Sequence, residues 1–215
     1  MPLLKIKALK DGTQLLVWKI TESFDELFSS VELKEASLDR LNSMKSESHQ
    51  KGFMSVRRLL MEKGYTDFDL YYDVFGKPHL TDGMHISISH SNDFSIIVLS
   101  DENVGADLEI LKEKVVKLAP RFMDVTHLEN LDAEDCLKKA TVVWGIKESV
   151  FKIKNEVGIS FKDHIFENEF LLSDRKCSAA LRFNHKVAYF DILFDFIEEY
   201  VFVCAFESKG NSSKS

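Results

Sequence analysis

The sequence predicts an α+β fold built as two halves. Three observations carry that prediction. Apolar residues make up 45% of the 215 positions, enough to bury a substantial core in one large domain or two small ones. Apolar runs of strand length alternate with longer segments whose apolar residues recur at three- and four-residue steps. The order strand, long helix, several strands occurs twice, on either side of the polar break Ser100-Asp101-Glu102-Asn103. The first half is set at residues 1–102 and the second at 103–208. The small polar stretch 209–215 is read as a disordered tail.

In the first half, TQLLVWKI at 13–20 reads as a strand, and 38–63 as one long helix stopped by Gly64. Segments 68–72, 85–90 and 94–100 read as strands, punctuated by Gly76-Lys77-Pro78 and Ser91-Asn92-Asp93. The second half opens with the strand VGADLEIL and continues with a helix near 112–122. A second helix runs from Ala133 to about Lys154, with Ala133, Leu137, Ala140, Trp144 and Phe151 along its apolar stripe. Strands at 179–183, 187–194 and 200–207 close the chain.

Chemistry concentrates in two of these elements. Asp107 and Glu109 are two apart on a strand, so both side chains share one face, on the order of 7 Å apart. That spacing suits two oxygen ligands of one hard cation of the Mg²⁺ type. It also suits the solvated face of an ordinary antiparallel strand. The helix shifts the balance toward the first. At about 100° per residue, Glu148 lies only about 40° from Trp144, on the apolar stripe, with Lys152 one turn later. An exposed Glu-to-Lys pair would add only about 0.2–0.5 kcal/mol to a helix. This Glu faces inward, and because burying an unpaired charge is costly, a metal or cationic partner is expected.

These residues resemble the 4′-phosphopantetheinyl transferases. The family's Gly-x-Asp-x-Glu strand is complete as Gly105, Asp107 and Glu109, and its Trp-x-x-Lys-Glu-x-x-x-Lys helix as Trp144, Lys147, Glu148 and Lys152. Upstream, Gly76-Lys77-Pro78 and Ser89-His90-Ser91 match its Gly-Lys-Pro and Ser-His-Ser elements in the expected order. Matching elements run from about Arg57 to Lys152. The likeness is greatest to the long, monomeric subfamily that activates nonribosomal peptide and polyketide synthases. It implies a pseudo-dimer of two similar α+β halves with the active site in the cleft between them.

The resemblance also implies a reaction: Mg²⁺-dependent transfer of the phosphopantetheine arm of coenzyme A to a serine of an apo acyl or peptidyl carrier protein, releasing adenosine 3′,5′-bisphosphate. Mn²⁺ is a possible substitute for Mg²⁺. Asp107, Glu109 and Glu148 are then the metal ligands, Glu148 the base toward the serine, and Lys152 a donor to the leaving phosphate. Lys147 is assigned to the acidic cluster. Coenzyme A falls to Lys77, Pro78, Ser89, His90 and Lys152, with Arg57 near the 3′-phosphate and Lys45 as a further basic candidate. Adjacent Arg58 leaves the register open by one. Two departures stand out: Ala106 replaces a larger aliphatic, and His49 and Gln50 occupy a stretch often rich in Arg.

Composition bounds the remaining classes. A net charge of −7 lacks the basic footprint of a nucleic-acid binder. The longest apolar stretches, such as 201–206, fall far short of the roughly 20 residues that span a bilayer. Charges interleave with the first apolar residues, so no secretory signal is read, and Cys136, Cys177 and Cys204 form no metal pattern. The expected address is the cytoplasm, without membrane or nucleic acid as partner. Gly76-Lys77 is followed by Pro78 and so is not a P-loop. No Gly-x-Ser-x-Gly elbow surrounds Ser89, and His79, His85 and His90 lack a zinc spacing. The competing readings are a noncatalytic coenzyme A- or carrier-binding protein of the same fold, and a Mg²⁺-dependent pyrophosphate hydrolase.

Overall fold

A computed structural model describes residues 3–208; the tail read at 209–215 lies outside the described residues. The chain divides into two compact units, Met1–Glu102 and Asn103–Ser215.

In the first unit, β1 (Leu3–Lys10) turns at Gly12 into β2 (Thr13–Lys19). Strands β5 (His85–Ser91) and β6 (Phe94–Ser100) complete an antiparallel sheet of order β1-β2-β6-β5. Strand β1 was not foreseen: it carries a lysine at every second or third position, which hides its apolar residues from a composition reading.

Helix α1 (Phe24–Ser29) is short and was also missed, although Ser23 and Glu26 close a reciprocal capping box at its start. The helix expected at 38–63 is two helices, α2 (Glu35–Ser43) and α3 (Glu47–Met61). Met44 and Ser46 adopt extended backbone between them. Gln50 in α3 reaches back and donates to the Leu41 and Met44 carbonyls, which satisfies the open end of α2. The core packs Leu41, Met54, Leu59 and Leu60 of these helices against Leu16, Trp18 and Ile97 of the sheet. A two-stranded hairpin, β3 (Leu70–Tyr72) with β4 (Pro78–Leu80), carries the Gly76-Lys77-Pro78 turn.

The second unit is one antiparallel sheet crossed by one long helix. Its strands are β7 (Val104–Ile110), β8 (Ile165–Glu167), β9 (Lys176–Phe183), β10 (Lys186–Ile197) and β11 (Tyr200–Glu207), in the order β7-β11-β10-β9-β8. The predicted helix near 112–122 shortens to α4 (Lys114–Leu118) and a single 3₁₀ turn at Ala119–Arg121. Pro120 explains the change, because its ring has no N–H to continue an α-helical ladder.

Helix α5 (Ala133–Lys154) starts on Asp132, whose side chain accepts from Asp135 N–H, and ends at Asn155 in the left-handed conformation (φ 48°). A single turn, α6 (Phe161–His164), precedes β8. Val142, Val143, Ile146 and Val150 of α5 pack on Val201, Val203, Phe190 and Ile192.

Candidate active site

Two glycines set how closely α5 lies on the sheet. A Cβ at Gly105 would stand 1.9 Å from the Ser149 carbonyl oxygen, and one at Gly145 would stand 2.6 Å from Val203 Cγ2. Only hydrogen at these positions allows the helix backbone onto β7 and β11. The Ser149 hydroxyl adds a bond to the Val203 carbonyl at 3.3 Å. The Gly of the Gly-x-Asp-x-Glu segment therefore works by close approach.

The strand register then delivers the carboxylates. Gly105 pairs with Ala205, Asp107 with Val203 and Glu109 with Val201. Val201, Val203 and Ala205 belong to the core under α5. Residues directly opposite in an antiparallel pair share a face, so Asp107 and Glu109 share the helix face of the sheet.

Each side chain has a specific partner. Lys152, in the last turn of α5, donates to Asp107 Oδ1 at 2.8 Å and to the Ala106 carbonyl at 2.9 Å. The Asp107 side chain is only 6% exposed. Trp144 Nε1–H donates to Glu109 Oε1 at 3.2 Å, and its ring is edge-packed against Phe122 at 5.2 Å between centroids. The tryptophan thus orients one carboxylate, a role its place on the apolar stripe did not reveal.

Electrostatics tie Glu148 to the same cluster. Burial, then the charge of Asp107, push its carboxyl up to about 7, with Lys152 opposing and Glu109 adding. Glu109 is shifted upward as well, by burial first and by Asp107 second, against the Trp144 bond and Lys152. Two of three carboxylates are therefore drawn toward protonation in a region short of positive charge.

The donor set, oxygen only and anionic, fits a hard divalent cation in its chemistry. The side chains are arranged around the lysine: among the described residues no group of three or more His, Cys, Asp or Glu is placed to hold a metal ion.

The neighbouring Lys147 does not join this cluster. Its ammonium, 2% exposed, pairs instead with Glu167 of β8 and donates to the Ile165 carbonyl. Burial pulls its pKa down. The expected pairing fails because residues adjacent on a helix diverge by about 100°. The carboxylate that takes Lys147 lies on β8, a strand the sequence reading did not resolve.

The residues assigned to coenzyme A, Lys152 apart, lie in the first unit. Lys77 ends a tight turn in which Asp73 accepts from the Phe75 and Lys77 N–H groups, both at 2.9 Å, and Gly76 takes φ 82°. Pro78 is half-buried and opens β4. Ser89 is 9% exposed near the end of β5, and His90 beside it is exposed. The His90 ring lies against α3, where a Cβ on Gly52 would meet it at 3.0 Å. It also lies 5.9 Å from the His49 ring, centroid to centroid. His49 had been noted only as a departure; the structure brings it to His90.

Lys45 is exposed between α2 and α3. Arg57 is placed differently from what a phosphate ligand suggests. It is 3% exposed, donates from Nε to Asp67 Oδ1 at 2.9 Å and from Nη1 to the Phe53 carbonyl at 3.0 Å, and lies 3.4 Å over the Phe53 ring. To meet a phosphate it would have to leave Asp67. Arg58 in turn donates to the Ser30 carbonyl at 3.2 Å.

No protein-family model matches the chain. Three curated proteins are similar to part of it. A 4′-phosphopantetheinyl transferase named gsp from Aneurinibacillus migulanus is 30% identical over 81 residues. One from Bacillus subtilis is 29% identical over 83 residues. The transferase Sfp of Bacillus subtilis strain 168 is 31% identical over 83. Each match takes in 36% of this chain and 34–37% of the relative, about a third of each curated protein. Over that stretch the chain is similar to 4′-phosphopantetheinyl transferases, and the three names agree in pointing to that superfamily.

Proposed function

We propose that this protein transfers the 4′-phosphopantetheine arm of coenzyme A to a serine of an apo carrier protein. The observation that carries the reading is the docking of α5 on β7 through Gly105 and Ser149, which sets Glu148 and Lys152 against Asp107 and Glu109. The names of the partial relatives support it. In this reading the two units are the halves of the pseudo-dimeric long subfamily, and the protein acts as a monomer in the cytoplasm.

Asp107, Glu109 and Glu148 would hold Mg²⁺, or Mn²⁺ in its place, whose charge when bound would offset the negative charge growing on the pyrophosphate. Glu148 takes the proton of the acceptor serine. Without a metal, burial and Asp107 push this carboxyl up to about 7; bound Mg²⁺ would draw it back down and keep it ionised, able to accept that proton. Lys152 donates to the departing phosphate. Trp144 keeps Glu109 in a fixed orientation through its indole N–H. Lys77 and Pro78 in their constrained turn, Ser89 and His90 at the end of β5, and Lys45 on the helical side make up the coenzyme A contacts of this reading, while Arg57, held by Asp67, supports the fold beside them.

The test is incubation with coenzyme A, Mg²⁺ and a panel of apo fatty-acid, polyketide and peptide carriers, followed by mass spectrometry. The reading expects one carrier class to gain the mass of phosphopantetheine. No gain on any carrier, with a known transferase working alongside, overturns it.

A further inference from the structure

Lys152 holds a position that a second cation would contest. Its ammonium spends two of its three protons on β7, one on Asp107 Oδ1 and one on the Ala106 carbonyl. Its side chain is 28% exposed, against 6% for Asp107, so the lysine has a route to solvent that the aspartate lacks. The backbones around the pair are closely packed. The close approach at Gly105 fixes helix to strand, and Asn155 terminates α5 three residues beyond Lys152. Any change of partner at Asp107 must therefore come from side chains, and the four-carbon lysine stem is the longest flexible one there.

We propose that Lys152 is a built-in counter-cation, which neutralises Asp107 until a divalent ion takes that carboxylate, so that ion entry and release of the lysine amine are a single exchange. The inference rests on the transferase reading for the identity of the ion and adds an order of events to it. With the ion absent, the amine is held on the strand. With the ion seated, the amine is free to reach a substrate phosphate. The exchange removes the need for two cations to share one buried carboxylate, and it keeps Asp107 compensated in both states.

The experiment uses Mn²⁺ as the probe, titrated into the full chain without coenzyme A or carrier and read by loss of the free-ion signal in electron paramagnetic resonance. Lys152→Met keeps the stem and removes the charge; it is expected to bind Mn²⁺ about tenfold more tightly than wild type, the order measured for close charge pairs between exposed and buried extremes. Lys152→Arg keeps the competing charge and is expected to bind no more tightly than wild type. Asp107→Asn is expected to abolish binding.

A second readout needs no variant. In wild type, Mg²⁺ should shift the ¹⁵Nζ and ¹³Cε resonances of Lys152 and expose its amine protons to faster exchange. Equal Mn²⁺ affinity for wild type and Lys152→Met overturns the proposal, as does a Lys152 resonance that ignores Mg²⁺ or a wild type that binds no Mn²⁺. If any of these occurs while carriers still gain mass, the exchange alone fails. If exchange is seen and carriers gain nothing, the transferase reading alone fails.

Discussion

Asp107, Glu148 and Arg57 each hold charge inside the fold, and each answers to a different compensation. Asp107 has the Lys152 ammonium at 2.8 Å. Glu148 is left to burial and its neighbours' charge, which lift its carboxyl to about 7. In the metal-free fold it therefore binds a proton more tightly than in the unfolded chain. Its stabilising contribution is complete below about 4.5 and is lost as pH rises through about 7. Glu148→Gln cannot ionise, so its melting temperature should gain on that of wild type as pH is raised from about 5 to about 8. In single-turnover kinetics the same variant should lose about 10²–10⁴-fold of the chemical step, the usual cost of a missing general base. A Gln variant reacting at the wild-type rate would leave the base to another group. Asp107→Ala should abolish turnover in the same assay while the circular dichroism spectrum stays native. Arg57 sits with Asp67, at 3% and 0% side-chain exposure. Arg57→Met should therefore cost about 3 kcal/mol of stability, because it leaves the buried Asp67 carboxylate without a counter-charge and with the Lys34 N–H as its remaining donor. Lys77→Ala should leave the melting temperature in place and raise KM for coenzyme A. The two variants together separate a residue that supports the fold from one that meets the substrate.

Among the elements, β7 and α5 carry the site, and both were legible in the sequence. The alternation of VGADLEI predicted that Asp107 and Glu109 share a face, and the register against β11 places that face toward the helix. The helix read from Ala133 to about Lys154 is observed as Ala133–Lys154, because its apolar stripe is a local signal. What escaped was non-local. Strand β8 is three residues long and has no periodicity to detect, so the Glu167 partner of Lys147 could not be named. The split between α2 and α3 depends on Gln50 reaching the α2 carbonyls, a tertiary contact that helical spacing does not announce. Gly105 was visible as a motif letter, but its reason is the helix passing overhead. Gly105→Ala should force α5 off the strand, because its Cβ would meet backbone and not a flexible side-chain end. A loss of about 1–3 kcal/mol in chemical denaturation is the expected size for such overpacking, with activity falling further than stability alone accounts for. An alanine variant of full stability would mean that the contact is not rigid.

At the scale of the whole molecule, each unit owns a core: Leu16, Trp18, Met54 and Leu60 in the first, and Val143, Ile146, Phe190 and Val203 in the second. The groups assigned to coenzyme A fall in the first, Lys152 apart, and the carboxylates in the second. Among the described residues no helix is long and apolar enough to cross a membrane. In the proposed transfer to an acidic carrier, the net charge of −7 gives no long-range attraction, and recognition would act within the roughly 8 Å that physiological salt leaves unscreened. The central claim is that this fold moves phosphopantetheine from coenzyme A to a serine and does not merely bind or hydrolyse the cofactor. The measurement that tests it most directly is a paired one on a single reaction: carrier mass by mass spectrometry and adenosine 3′,5′-bisphosphate by chromatography. The account predicts equal molar amounts of modified carrier and nucleotide, both lost in Asp107→Ala. Nucleotide release without carrier modification, or neither product beside a working known transferase, would contradict it.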